Sequence, residues 1–105
     1  MKKELVLLLL LLVSVLFAIE PHFMNDPAIS PDGKTVCFVY KADLWIVPFE
    51  GGEAKRLTVS DGTEWSPMFS PDGETIAFNT NRDGWAALYQ IPAEGGIATA
   101  ITKES

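Results

Sequence analysis

One pattern occurs twice in the chain, and it constrains the fold more than any other feature. Asn25-Asp26-Pro27-Ala28-Ile29-Ser30-Pro31-Asp32-Gly33 matches Trp65-Ser66-Pro67-Met68-Phe69-Ser70-Pro71-Asp72-Gly73 at an offset of 40. Thr35-Val36-Cys37-Phe38 matches Thr75-Ile76-Ala77-Phe78 at the same offset. Leu44-Trp45-Ile46-Val47-Pro48 then matches Leu88-Tyr89-Gln90-Ile91-Pro92 at an offset of 44, as do Gly51-Gly52 with Gly95-Gly96 and Leu57-Thr58 with Ile101-Thr102. The change of offset is a four-residue insertion within Asn79–Ala87. Separate blocks that keep their order and spacing mark a structural repeat rather than chance similarity.

Each copy reads as four short strands. In the first they are expected at Ala28–Ser30, Thr35–Tyr40, Asp43–Phe49 and Glu53–Thr58, and in the second at Met68–Ser70, Thr75–Thr80, Ala87–Ile91 and Ile97–Thr102. The segments are rich in Val, Ile, Phe, Tyr, Trp and Thr, which suit a pleated surface. The punctuation between them has a mechanism. In Ser30-Pro31-Asp32-Gly33, proline presets φ at the first turn position, aspartate tolerates the next, and glycine supplies the left-handed residue; Ser70-Pro71-Asp72-Gly73 repeats the logic. Gly51-Gly52 and Gly95-Gly96 form a second hairpin turn in each copy. Asn81-Arg82-Asp83-Gly84 lengthens one hairpin of the second copy.

Val36, Phe38 and Tyr40 point one way along their strand, and Cys37 and Val39 the other. Apolar residues on both faces require a sheet covered on both sides. A four-stranded unit of ~40 residues with two buried faces, repeated along a chain, is a β-propeller blade. The fold class is therefore all-β: two four-stranded antiparallel blades, as part of a larger propeller, behind an N-terminal signal helix. Two blades alone leave an apolar face at each end and unpaired strand edges.

The N-terminus is different in kind. Leu5 to Ile19 is apolar apart from Ser14, with Lys2 and Lys3 before it. A basic start, a short apolar stretch and a small residue describe a secretory leader, and the run is shorter than the ~20 residues that cross a bilayer comfortably. Cleavage is expected after Ala18. An uncleaved anchor is the alternative, because Leu16 stands where a small residue is preferred. The expected organisation is residues 1–18 as leader, 19–62 as first blade and 63–105 as second, exported to a periplasmic or extracellular location.

Charge and residue counts narrow the function. The chain of 105 residues carries 8 Lys+Arg against 14 Asp+Glu, a net charge of -6. That balance argues against nonspecific nucleic-acid binding, which needs a basic surface to displace counterions from phosphates. One cysteine excludes a disulfide framework and a multi-cysteine zinc site. His22 is the only histidine. Cys37 lies inside a strand buried on both faces and is matched by Ala77, so it reads as a small core filler rather than a nucleophile. Asp32 and Asp72 each offer one carboxylate among Pro and Gly, which suits a turn and not a calcium loop. Asp26 and Asp43 read as capping or hairpin residues. Trp45 and Tyr89 are equivalent repeat positions and read as packing residues. Trp65 and Trp85 are the better candidates for contact with a partner, and Trp85 above all, because it lies in the insertion, and loops on a rigid scaffold often carry binding function.

The repeat resembles the TolB-like, WD-like propeller family. It carries Pro27 and Pro67, the Ser-Pro-Asp-Gly turns, Asp43-Leu44-Trp45-Ile46-Val47-Pro48, and Gly51-Gly52-Glu53-Ala54-Lys55-Arg56-Leu57-Thr58. More narrowly it is similar to the first blades of bacterial tricorn-like peptidases. That resemblance covers residues 22–105 and implies a noncatalytic propeller segment of an exported serine peptidase. Such a scaffold would gate or guide peptide substrates to a catalytic domain absent from this chain. No residue here matches the serine nucleophile region of those enzymes, so no catalytic, cofactor-binding or metal-binding residue is assigned and no cofactor is expected. Expected partners are peptide or protein, with the remaining blades in cis or further copies in trans, and a membrane only through an uncleaved leader. The alternatives are a TolB-like periplasmic protein-interaction module and a small self-assembling propeller protein.

Overall fold

The computed structural model describes residues 24–102, which form strands, turns and loops with no helix. The leader and His22 lie outside the described residues. Four strands, β1 (Met24–Ile29), β2 (Thr35–Tyr40), β3 (Asp43–Pro48) and β4 (Lys55–Arg56), form one antiparallel sheet in the order β1-β2-β3-β4. A second sheet repeats the arrangement with β5 (Glu64–Phe69), β6 (Thr75–Thr80), β7 (Ala87–Pro92) and β8 (Thr99–Ala100). Each sheet is one blade. Strands joined in sequence order by short turns are what the turn chemistry dictates.

The central hairpins match expectation. Within β2–β3 the register runs from Thr35 opposite Pro48 to Tyr40 opposite Asp43, and within β6–β7 from Thr75 opposite Pro92 to Thr80 opposite Ala87.

The inner and outer strands differ from expectation, each for a local reason. The inner strands begin earlier, at Met24 and Glu64 rather than Ala28 and Met68. Each contains a bulge: Asn25 faces Val39 and Ala28 faces Cys37, so Asp26 and Pro27 together oppose Phe38. Ser66 and Pro67 do the same against Phe78. Proline lacks the N–H that a regular ladder needs, and a bulge accommodates it while the strand continues. The outer strands are shorter than expected, two residues each. A side chain takes over where the ladder would run on: Thr58 Oγ1 accepts the N–H of Leu44 at 2.9 Å, and Thr102 Oγ1 accepts that of Leu88 at 2.9 Å. Short edge strands also limit unwanted pairing.

The blades stack face to face. Cys37, Val39 and Leu44 of the first blade join Ile76, Phe78 and Ile91 of the second in one buried cluster, with Ile46, Leu57, Phe69 and Tyr89 packed around it. Full burial of side chains of this size is worth roughly 1.5–3 kcal/mol each, and this cluster is the main force joining the blades. The strand period of two puts Val36, Phe38, Trp45 and Val47 on the opposite face of the first blade. Tyr40 meets Trp45 edge-on there, with ring centroids 5.8 Å apart. Polar links reinforce the stack: the N–H of Glu64 donates to the carbonyl of Ala42 at 2.8 Å, and the N–H of Ser66 to Asp26 Oδ2 at 3.1 Å.

Candidate functional site

The two ends of the blade pair differ. One end carries the Ser-Pro-Asp-Gly and Gly-Gly turns. In the first copy the N–H of Gly33 donates to the Ser30 carbonyl at 2.9 Å, and Gly33 takes φ of 74°. Ser30 Oγ donates to Asp32 Oδ1 at 2.6 Å and accepts the N–H of Thr35 at 3.0 Å, while the N–H of Lys34 donates to Asp32 Oδ1 at 2.9 Å. The second copy repeats every bond: Ser70 Oγ to Asp72 Oδ1 at 2.6 Å, Thr75 N–H to Ser70 Oγ at 3.0 Å, and Glu74 N–H to Asp72 Oδ1 at 3.0 Å. The serine hydroxyls, and after them the backbone N–H groups, hold both carboxyls below the usual aspartate range. Asp32 and Asp72 are thus committed to their turns. The Gly-Gly turns lie beside them, with Gly51 N–H bonded to the Pro48 carbonyl at 3.0 Å and Gly95 N–H to that of Pro92 at 2.8 Å. Between the blades at this end runs an open groove of about 630 Å³, with Asp32, Asp72, Glu94 and Lys55 on its walls and Ile46 and Phe69 within it.

The other end holds the insertion. Its counterpart in the first blade is the two-residue turn Lys41–Ala42, with φ of 49° and 73°. In the second blade Asn81–Ala86 makes a longer loop, and several bonds fix it. Asn81 Oδ1 accepts the N–H of Thr63 at 2.7 Å, and the N–H of Asn81 donates to the Thr63 carbonyl at 3.2 Å. Gly62 lies so close that a Cβ there would come within 2.7 Å of the Arg82 backbone. Arg82 Nη2 donates to Glu64 Oε1 at 2.9 Å, and its guanidinium lies 4.7 Å from the Tyr89 ring centroid and 5.5 Å from that of Phe78. The Tyr89 hydroxyl donates to Asp83 Oδ2, and this bond to a carboxylate pushes the phenol above its ordinary range. On this braced loop Trp85 is 45% exposed and takes no part in the buried cluster.

Of the sequence-predicted residues, Pro27 and Pro67 sit at the inner-strand bulges and Trp65 is half-buried in β5 opposite Asn79, and the others fall in two places. The turn residues gather at the grooved end, and Trp85 stands at the opposite end. Cys37 is buried in the core, and burial pushes its thiol up to about 12, which keeps it protonated and unreactive. Among the described residues no three His, Cys, Asp or Glu side chains come together to hold a metal. Asp43 is the hairpin residue expected, opposite Tyr40 across the β2–β3 turn, and it is also buried and receives Arg56 through both Nε, at 3.1 Å, and Nη2. Asp26 does bind a backbone N–H, but in the next blade. Glu64, fully buried and paired with Arg82, had no sequence signal, because its partner lies in the insertion that the first copy lacks.

Comparison with known proteins agrees with this architecture. No curated protein sequence matches the chain. Among solved structures, it superposes on a putative TolB from Agrobacterium tumefaciens with a TM-score of 0.69 and 29% identity, over 77% of this chain and 31% of that one. TolB from Acinetobacter baumannii shares the fold at a TM-score of 0.68 and 24% identity, over 76% of this chain and 21% of that one. The tricorn protease matches with a TM-score of 0.67 and 29% identity, over 76% of this chain and 8% of that one. The chain therefore spans less than a third of the length of each of these relatives. Residues 21–105 match the family model of the tricorn protease N-terminal beta propeller domain, and with two propeller blades in the structure the chain belongs to that family.

Proposed function

We propose that these blades are a noncatalytic segment of an exported tricorn-like serine peptidase, a scaffold that guides peptide substrates toward a catalytic domain carried elsewhere. The observation that carries this reading is the family match across residues 21–105. The polar chemistry is consistent with it. Asp32, Asp72, Ser30 and Ser70 are occupied in turns, and Arg82 and Glu64 brace a loop. What remains accessible is a groove at one end and Trp85 at the other, both suited to polypeptide contact. Export rests on the leader. A second reading, a TolB-like protein-interaction module, is supported by the superposition on the Agrobacterium structure, at the same 29% identity as the tricorn protease.

One experiment separates them. An antibody against this chain is applied to fractions of the native cells, alongside a fluorophosphonate probe that labels active serine hydrolases. The peptidase reading expects an exported polypeptide much larger than 11.5 kDa that takes the label. An exported polypeptide that stays unlabelled supports the interaction module, and a cytosolic one contradicts both.

A further inference from the structure

The groove at the turn end sets apolar surface beside unpaired negative charge. Both of its walls belong to the two described blades, and the paired turns meet there: a Cβ on Gly73 would lie 3.5 Å from Pro31 Cδ. Ile46 and Phe69 line the groove, each half-buried and packed against the core cluster. Its volume of about 630 Å³ is that of an ordinary ligand pocket.

Asp32, Asp72 and Glu94 stand exposed on the walls, against Lys55 alone. The ion pairs among the described residues are Asp43–Arg56 and Glu64–Arg82, so none of these three carboxylates is neutralised by a partner there. In both turns the serine hydroxyl and the backbone N–H converge on Oδ1. Neither Oδ2 bonds to another described residue. The bonds to Oδ1 hold each carboxyl in place and favour its ionised form. A neutral apolar segment in the groove would strip water from these charges and return nothing, and an acidic one would be repelled. An arginine side chain fits both surfaces: its methylene stem covers apolar groups, and its planar guanidinium donates to carboxylate oxygens.

We propose that the groove between the two Ser-Pro-Asp-Gly turns docks a polypeptide segment presenting one arginine beside an apolar side chain. The guanidinium reaches Asp32 Oδ2 and Asp72 Oδ2, and the apolar neighbour covers Ile46 and Phe69. Lys55 repels a second basic side chain, so the groove selects a single arginine over a polybasic run. The inference rests on the reading that these blades contact polypeptide, and it holds equally for a peptidase segment and for an interaction module.

The probes are acetyl-Leu-Arg-Leu-amide and its citrulline analogue, in which a neutral urea of the same shape replaces the guanidinium. Each is titrated into the nitrogen-15-labelled full chain in a mild nonionic detergent and followed by amide chemical shifts. The Lys34 and Glu74 amides donate to Asp32 and Asp72, so they report directly on the two carboxylates. Both should shift to saturation together with Phe69, and the arginine peptide should bind about fivefold more tightly than the citrulline peptide. Asp32→Asn/Asp72→Asn keeps an acceptor in each turn and should abolish that preference. Equal affinity for the two peptides, or binding that leaves Lys34 and Glu74 unmoved, overturns the arginine site while polypeptide contact stands. No binding of either peptide overturns the proposal too, whereas the peptidase and interaction readings are decided by the fractionation and labelling experiment. If circular dichroism shows that the double variant has lost its sheets, salt decides. Raising it from about 20 mM to about 300 mM should weaken the arginine peptide alone, and an unchanged affinity overturns the proposal.

Discussion

Asp26 Oδ2 accepts the backbone N–H of Ser66 at 3.1 Å, and these two residues occupy the same position in successive repeats. Both sit at a strand bulge with left-handed φ, 49° and 51°. The bulge turns one residue's carboxylate toward the next residue's amide, so the repeat is linked to itself at its inner strands as well as through its apolar faces. Asp26→Ala should lower stability by about 1 kcal/mol, the usual net worth of one hydrogen bond, and Asp26→Asn by less, because an acceptor remains. Urea denaturation of the three chains measures the difference.

Glu64 is fully buried, and Arg82 is half-buried, its side chain 19% exposed. Glu64 Oε1 is satisfied by Arg82 and by Ser60 Oγ at 2.8 Å, but Oε2 has no partner among the described residues. Removing Arg82 alone, as in Arg82→Met, leaves an uncompensated buried carboxylate and should cost about 3–5 kcal/mol. Replacing both partners, as in Glu64→Leu/Arg82→Met, should recover most of that loss. A double-mutant cycle by chemical denaturation tests the non-additivity.

Ala42 takes φ of 73° in the turn between β2 and β3, and Lys41 takes 49°. A side chain with a Cβ is strained there, and a two-residue hairpin turn of this kind favours Asn-Gly. Ala42→Gly should stabilise the chain by about 1 kcal/mol, seen as a higher denaturation midpoint. A lower midpoint would mean that the turn does not adopt the left-handed conformation.

The Asp32 and Asp72 carboxyls are held below their ordinary range by Ser30 and Ser70 and by backbone N–H groups. A carboxyl depressed in the folded state contributes stability above its unfolded value, near 4, and that contribution is lost as pH falls through the folded value. The melting temperature should therefore drop on acidification below about pH 4. The drop should be shallower in Asp32→Asn/Asp72→Asn, because the titrating groups are gone. Thermal melts between about pH 2 and pH 6 check both slopes.

The parts of the fold legible in the sequence are those where local chemistry and repeat pattern agree. Val36 to Tyr40 and Ile76 to Thr80 carry dense β-forming residues, and the Ser-Pro-Asp-Gly turns need only residues adjacent in sequence. Alternation also placed Cys37 and Val39 on one face and Val36 and Phe38 on the other. The features that escaped are non-local or run against propensity. Asp26 and Ser66 adopt a left-handed conformation without glycine, and the Lys41–Ala42 turn contains none of the residues that announce one. The Asp43–Arg56 and Glu64–Arg82 pairs join residues 13 and 18 apart, which no short motif records. Trp85 was singled out by its place in the insertion. The rigidity of its loop comes from Thr63, Gly62 and Glu64, which lie outside the insertion altogether.

The account depends on the direction in which the blades stack, and methyl–aromatic nuclear Overhauser contacts read that direction most directly. Val39 and Leu44 methyl groups should show contacts to the second blade, to the Phe78 ring and the Ile76 and Ile91 methyls, while Val36 and Val47 methyls show none. Contacts from Val36 and Val47 to those residues instead would mean that the first blade packs by its other face, and would contradict the stacking of the two blades.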